Sequence, residues 1–148
     1  MADPGDLQKQ MEFMTGALEH CVRLGLRVLD ARQGWLRMEL PYSQEIVGNP
    51  ATGVIHGGPL TTLMDTACGI AAFAAMSKPG LAPTLDLRID YMGAAQPGLA
   101  VIGEGEAYRI TRNVIFCRGL AYHESQKDKP IAHCTATFMR LEPAAAGG

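Results

Sequence analysis

Asp65 is the only ionisable side chain between Gly57 and Ser77 apart from the Cys68 thiol. It stands in an apolar run, LTTLMDTACGIAAFAAM, that begins at Leu60. Thr61, Thr62 and Gly69 lie three or four residues away, so on a helix they share its face. A carboxylate on such a small, polar stripe has two readings. It is a general base or nucleophile with room beside it for a carbonyl and a water, or a buried aspartate paired with Thr61 or with backbone. Just ahead of the run stand His56, Gly57 and Gly58. Free N–H groups at a helix start carry partial positive charge, and glycine admits a ligand close to the backbone. Donors placed this way stabilise the charge on a carbonyl oxygen under attack, commonly by ~3 kcal/mol. The plainer reading is that the two glycines only turn the chain into the helix. His56 is either a group that orients a substrate or an ordinary loop histidine.

These residues need elements to hold them. Leu7, Met11, Met14 and Leu18 recur at helical spacing behind Asp6, which predicts a capped helix to about residue 19, with residues 1–5 loose. Strands are expected at 21–29 and 35–40, around a turn at Arg32-Gln33-Gly34, and a loop at 42–55. Pro59 suits the first turn of the apolar helix, and Lys78-Pro79-Gly80 suits its end. A helix this poor in charge must be covered nearly all round. Four strands are expected after it, at 84–91, 99–110, 114–123 and 131–140, with a turn at Thr111-Arg112-Asn113. In the first of them Thr84, Asp86, Arg88 and Asp90 alternate with apolar residues. In the last, Ala132, Cys134, Ala136 and Phe138 share one face. The order predicts an α+β fold, an antiparallel sheet wrapped around one long central helix.

The chain has 148 residues, 47% of them hydrophobic and 19% charged, with a formal net charge of −2. That suits one domain over 1–148, with a core of about 10–141, and argues against disorder. No basic footprint points to nucleic acid. No apolar stretch is long enough for a bilayer, which needs ~20 residues. The opening MADPGDLQKQ has neither the basic nor the apolar region of a secretory signal. Cys21, Cys68, Cys117 and Cys134 form no CxxC pair and read as reduced, mostly buried thiols of a cytoplasmic protein. His20, His56, His123 and His133 form no HExxH or HxH pair, so no metal site is expected.

The stretch NPATGVIHGG, the acid at Asp65 and the later DLRIDYM together resemble the hotdog-fold acyl-CoA thioesterases. The likeness is closest to the phenylacetate-pathway and human thioesterase-superfamily branch, and covers roughly residues 10–141. The resemblance implies a hotdog fold that hydrolyses a fatty-acyl or aryl-acyl-CoA to the acid and free CoA, without metal or redox cofactor. It implies Asp65 as base or nucleophile and the Gly57 N–H as oxyanion donor. His56 would orient the thioester or bond the leaving sulfur, with Gly58, Asn49 and Thr84 as substrate-binding residues. Six residues separate Asn49 from His56, one more than the family pattern has, and an Asn-Pro pair also starts turns. Thr84 matches a position that holds the attacking water, while its strand alternation equally makes it an ordinary exposed threonine. A threonine one turn after the acid marks the 4-hydroxybenzoyl-CoA branch; Gly69 stands there instead. The resemblance further implies edge-paired dimers, often packed as tetramers, with active sites at the subunit interface. Arg88, Arg109, Arg112, Arg118, Lys127 and Lys129 are candidates for CoA phosphates, with none singled out. The rival readings are a non-catalytic acyl-CoA-binding module and, more remotely, a hotdog hydratase or dehydratase.

Overall fold

A computed structural model describes residues 4–78 and 80–142. Expectations for residues 1–3 and for Pro79 lie outside the described residues. The first helix, α1 (Pro4–Gly16), begins two residues before Asp6 and is three short of the expected end. Pro4 suits a first helical position, where its missing N–H costs nothing. Met11 of α1 is fully buried.

The strand expected at 21–29 is a correction. Residues Glu19–Leu24 form a short helix, α2, with Arg23 Nε 2.9 Å from Glu19 one turn earlier. Gly25 ends it at φ +70°, and Leu26 N–H donates to Cys21 O at 2.9 Å. A glycine in the left-handed region with this bond is a strong helix stop. Only then does strand β1 (Arg27–Arg32) begin, followed by β2 (Trp35–Leu40). The loop at 42–55 is also more ordered than expected. It holds a 3-10 turn (Gln44–Ile46) and a small antiparallel pair, β3 (Val47–Asn49) with β4 (Val54–Ile55).

The long helix α3 (Gly57–Ala75) follows, then β5 (Thr84–Tyr91), β6 (Val101–Ile110), β7 (Val114–Tyr122) and β8 (Ala132–Met139). The helix stops at Ala75, so Lys78 lies beyond its last turn. Six strands form one antiparallel sheet in the order β1-β2-β6-β7-β8-β5. It curls around α3, whose Leu63, Met64, Ala67, Cys68, Ala71 and Ala72 are fully buried. Close approach depends on Gly105 of β6: a Cβ there would lie 2.5 Å from the Ala67 carbonyl. This is the α+β hotdog arrangement expected from the sequence, with α1 packed on the β1 edge. The opposite edge, β5, has no strand on its outer side among the described residues, and its Leu85 and Tyr91 are 52% and 51% exposed. Among the described residues, no helix is long and apolar enough to cross a membrane.

Candidate active site

Asp65 faces the start of β5 from the middle of α3 and is half-buried. Thr84 Oγ1 donates to its Oδ1 at 2.8 Å. A hydrogen bond to an ionised carboxylate is worth roughly 1.5–3 kcal/mol. Strict alternation would have put Thr84 on the outer face with Asp86, Arg88 and Asp90. The register prevents this. Asp86 pairs with Thr137, but Thr84 pairs with Phe138, because Leu85 is an extra residue in the ladder. Directly paired residues share a face, and Phe138 is buried. The one-residue slip thus turns Thr84 toward the helix. Thr61, the other partner considered for Asp65, is engaged elsewhere: its Oγ1 donates to Gly57 O at 3.0 Å.

The second cluster lies at the start of α3. His56 is the N-cap, and its Nδ1 accepts from Gly58 N–H at 2.9 Å. An accepting Nδ1 places the proton of the neutral ring on Nε2, which is then a donor. The Gly58 N–H is therefore occupied, while the Gly57 N–H has no partner among the described residues. On the other side, the Tyr91 hydroxyl donates to Gly57 O at 3.0 Å and lies 3.0 Å from Thr61 Oγ1. Tyr91 was legible only as an apolar residue of a strand. Its polar tip, within the DLRIDYM motif, was the available signal.

Asn49 is exposed, and its Oδ1 accepts from Ala51 N–H at 3.1 Å. Its carbonyl accepts from Thr52 and Gly53 N–H at 3.1 and 2.8 Å. In this chain the side chain thus braces a turn, on a strand paired alongside β4 just before His56.

Asp65 and Thr84 stand on the wall of a cleft of about 510 Å³. Its other walls are largely apolar, from Phe13 and Met14 of α1, Ile70 and Phe73 of α3, and Phe138 of β8. Sequence periodicity assigned Met14 to the helix and did not connect α1 to a cleft. A smaller hollow of about 150 Å³ lies on the outer face of the sheet, near Trp35, Glu104, Arg118 and His133.

Several other titratable groups are engaged in structure. All four cysteines are free and buried. Cys68, one turn beyond Asp65, has its sulfur 3.5 Å from that of Cys134. This contact and burial push its pKa well up. Burial pushes the Cys117 thiol up to about 12. Neither is a thiolate at neutral pH. His123 is buried, accepts from Gln96 N–H at Nε2 and donates to Ala100 O from Nδ1, each at 2.8 Å. Of the basic CoA candidates, Arg88, Arg118 and Lys127 already pair with Asp90, Glu106 and Glu104. Arg37 bonds Tyr122 and Glu124 on the outer face, which raises its pKa. Among the described residues no three His, Cys, Asp or Glu side chains converge as a metal site would require.

Residues 52–129, just over half of the chain, match the family model of the thioesterase superfamily. A protein of Halobacterium salinarum, whose given name proposes an esterase, is 36% identical over 94 residues. That match spans 62% of this chain and 61% of the relative's length. A crystal structure of a Pseudomonas aeruginosa protein is 50% identical, covers 91% of this chain and 99% of that one, and superposes with a TM-score of 0.82. The PaaI protein of the Escherichia coli phenylacetic acid degradation operon shares the fold at 16% identity, with a TM-score of 0.81 over 96% of this chain and 99% of its own.

Proposed function

Because the chain belongs to the thioesterase superfamily, we propose that it hydrolyses fatty-acyl or aryl-acyl-CoA to the acid and free CoA. The observation that carries this reading is the Thr84-bonded carboxylate of Asp65 on the wall of an apolar cleft. The cleft volume of about 510 Å³ falls in the range of small-molecule sites, and its apolar walls suit an acyl group. Asp65 takes the proton of a water as that water attacks the thioester carbonyl, or attacks the carbonyl itself to form a mixed anhydride that water then opens. Thr84 holds the carboxylate or the water. The Gly57 N–H donates to the oxyanion. When the carbon–sulfur bond breaks, the leaving thiolate takes the proton that Asp65 accepted, or one from the water that opens the anhydride, while His56 Nε2–H hydrogen-bonds that sulfur. Asn49 and Gly58 line the approach to the same turn. Solvent oxygen-18 found in Asp65 after one turnover marks direct attack.

The proposed donor and acid of one chain are widely spaced for a single carbonyl. Gly57 and Asp65 are eight residues apart on α3, or about 12 Å along the axis at ~1.5 Å per residue. A reacting carbonyl needs the donor within about 3 Å, and the acid within about 3 Å or one water further away. The run of β5 points to the remedy. It is antiparallel to α3, with Thr84 beside Asp65 and Tyr91 beside Gly57. Antiparallel pairing of two β5 edges about a two-fold axis would set Asp65 of one protomer near the partner subunit's Gly57, twice over. The free β5 edge supports such a dimer. Four free thiols fit a reducing, cytoplasmic setting.

The test is release of free thiol from a panel of acyl-CoA esters. Turnover that Asp65→Asn abolishes is expected. Tight binding with no thiol release at any chain length would replace this reading with the non-catalytic binding module. Light scattering should give a dimer or tetramer, and a 15.8 kDa monomer at micromolar concentration would remove the shared site.

A further inference from the structure

An oxyanion donor is effective only if it is already in place when charge develops. Gly57-Gly58 is a poor choice on that ground, because glycine pairs are the most pliable of dipeptides. Their shared peptide is nevertheless held at both ends. His56 Nδ1 takes its N–H, and its carbonyl, Gly57 O, accepts from Thr61 Oγ1 and from the Tyr91 hydroxyl. The bonds from His56 and Thr61 are local, and a helical threonine commonly makes a bond to the carbonyl four residues back. The Tyr91 bond is the one side-chain anchor that reaches this peptide from another element among the described residues, across 34 positions of sequence.

Within one protomer Tyr91 packs only partly, since half its surface is exposed. It lies against the turn itself: a Cβ on Gly57 would sit 3.2 Å from its hydroxyl. It also ends the strand that begins at Thr84, the partner of the acid.

We propose that Tyr91 is a positioning residue: its hydroxyl bond to Gly57 O fixes the Gly57–Gly58 peptide, and the bond from that peptide back to His56 closes a loop around the His56–Gly57 peptide, which carries the Gly57 N–H. The inference rests on the reading of that N–H as the oxyanion donor. Tyr91 itself touches no reacting atom.

Tyr91→Phe removes the bond and keeps the ring. It should lower kcat about tenfold with KM, melting temperature and oligomeric state unchanged, and should speed amide hydrogen exchange several-fold at Gly58, whose N–H is bonded to His56. Incorporating 4-aminophenylalanine at position 91 restores a donor and should restore most of kcat and the slow exchange. This rescue decides the matter even if Tyr91→Phe loses stability. Wild-type kcat and wild-type exchange in Tyr91→Phe would overturn the inference alone, as would a raised KM with kcat unchanged. A wild-type protein that releases no thiol from any acyl-CoA would overturn the functional reading and this inference together.

Discussion

The two ends of β5 are tied to the same helix by different chemistry. At its start, a hydroxyl meets a carboxyl side chain beside an apolar cleft, through Thr84 and Asp65. At its finish, a hydroxyl meets a backbone carbonyl at a glycine turn, through Tyr91 and Gly57. The first end depends on residue identity, because the proposed reaction uses the carboxylate there as base or nucleophile. The second depends on backbone shape, because the proposed donor is a main-chain N–H that every residue but proline carries. Substitutions should therefore act on chemistry at the first end and on geometry at the second.

The sharpest test of that difference is Asp65→Asn, which keeps the shape and removes the base. We expect kcat to fall about 100-fold or more, the scale of general-base catalysis, with substrate binding largely kept. A variant that retains most of its kcat would make the acid end structural, like its counterpart.

Whether the two ends serve one reaction is a question of assembly. Asp65→Asn and His56→Ala homodimers should each be poorly active. Mixed dimers, purified with two tags, would carry one site with both lesions and one with neither. Their activity should rise toward half that of the wild type. If mixed dimers are no better than their parents, while both variants pair normally, each site draws on one chain.

A smaller effect separates the two threonines. Thr84→Val removes a bond to a charged group and should lower kcat roughly tenfold, from ~1.5 kcal/mol lost. Thr61→Val removes a local bond that Tyr91 duplicates, and should cost only about two-fold in the same thiol-release assay. Equal losses would erase the contrast between the ends.

The cleft sets the smallest increments. Each methylene that enters it adds up to ~0.8 kcal/mol, or about four-fold in kcat/KM, until the space is full. A flat series from short to long acyl chains would place the acyl group outside the cleft. Met14→Ala should shift the length at which the series levels off.

Much of the fold was legible because it rests on short-range periodicity. Thr84–Tyr91 as a strand, the hairpin at Thr111-Arg112-Asn113, and the inward faces of Ala132, Cys134, Ala136 and Phe138 follow from a period of two. The burial of α3 follows from its lack of charge. The stretch at 21–29 misled because its apolar residues fit a strand, while the Glu19–Arg23 pair and Gly25 carried the helical signal. A positive-φ glycine outweighs local strand propensity once it satisfies the last carbonyls of a turn.

The sequence by itself determined the long central helix, β2 and the four strands after the helix, and named His56, Gly57 and Asp65 as residues worth placing. Only the tertiary structure decided what meets Asp65. The alternation put Thr84 outward, and the extra residue at Leu85 turned it inward. Only the tertiary structure, likewise, carried Tyr91 to the Gly57 carbonyl and opened a cleft between α1 and α3. The physical reason is range. Periodicity is set by bonded geometry within one element, whereas a register slip or a hydroxyl's partner is chosen by the competition of all the surfaces that pack against it.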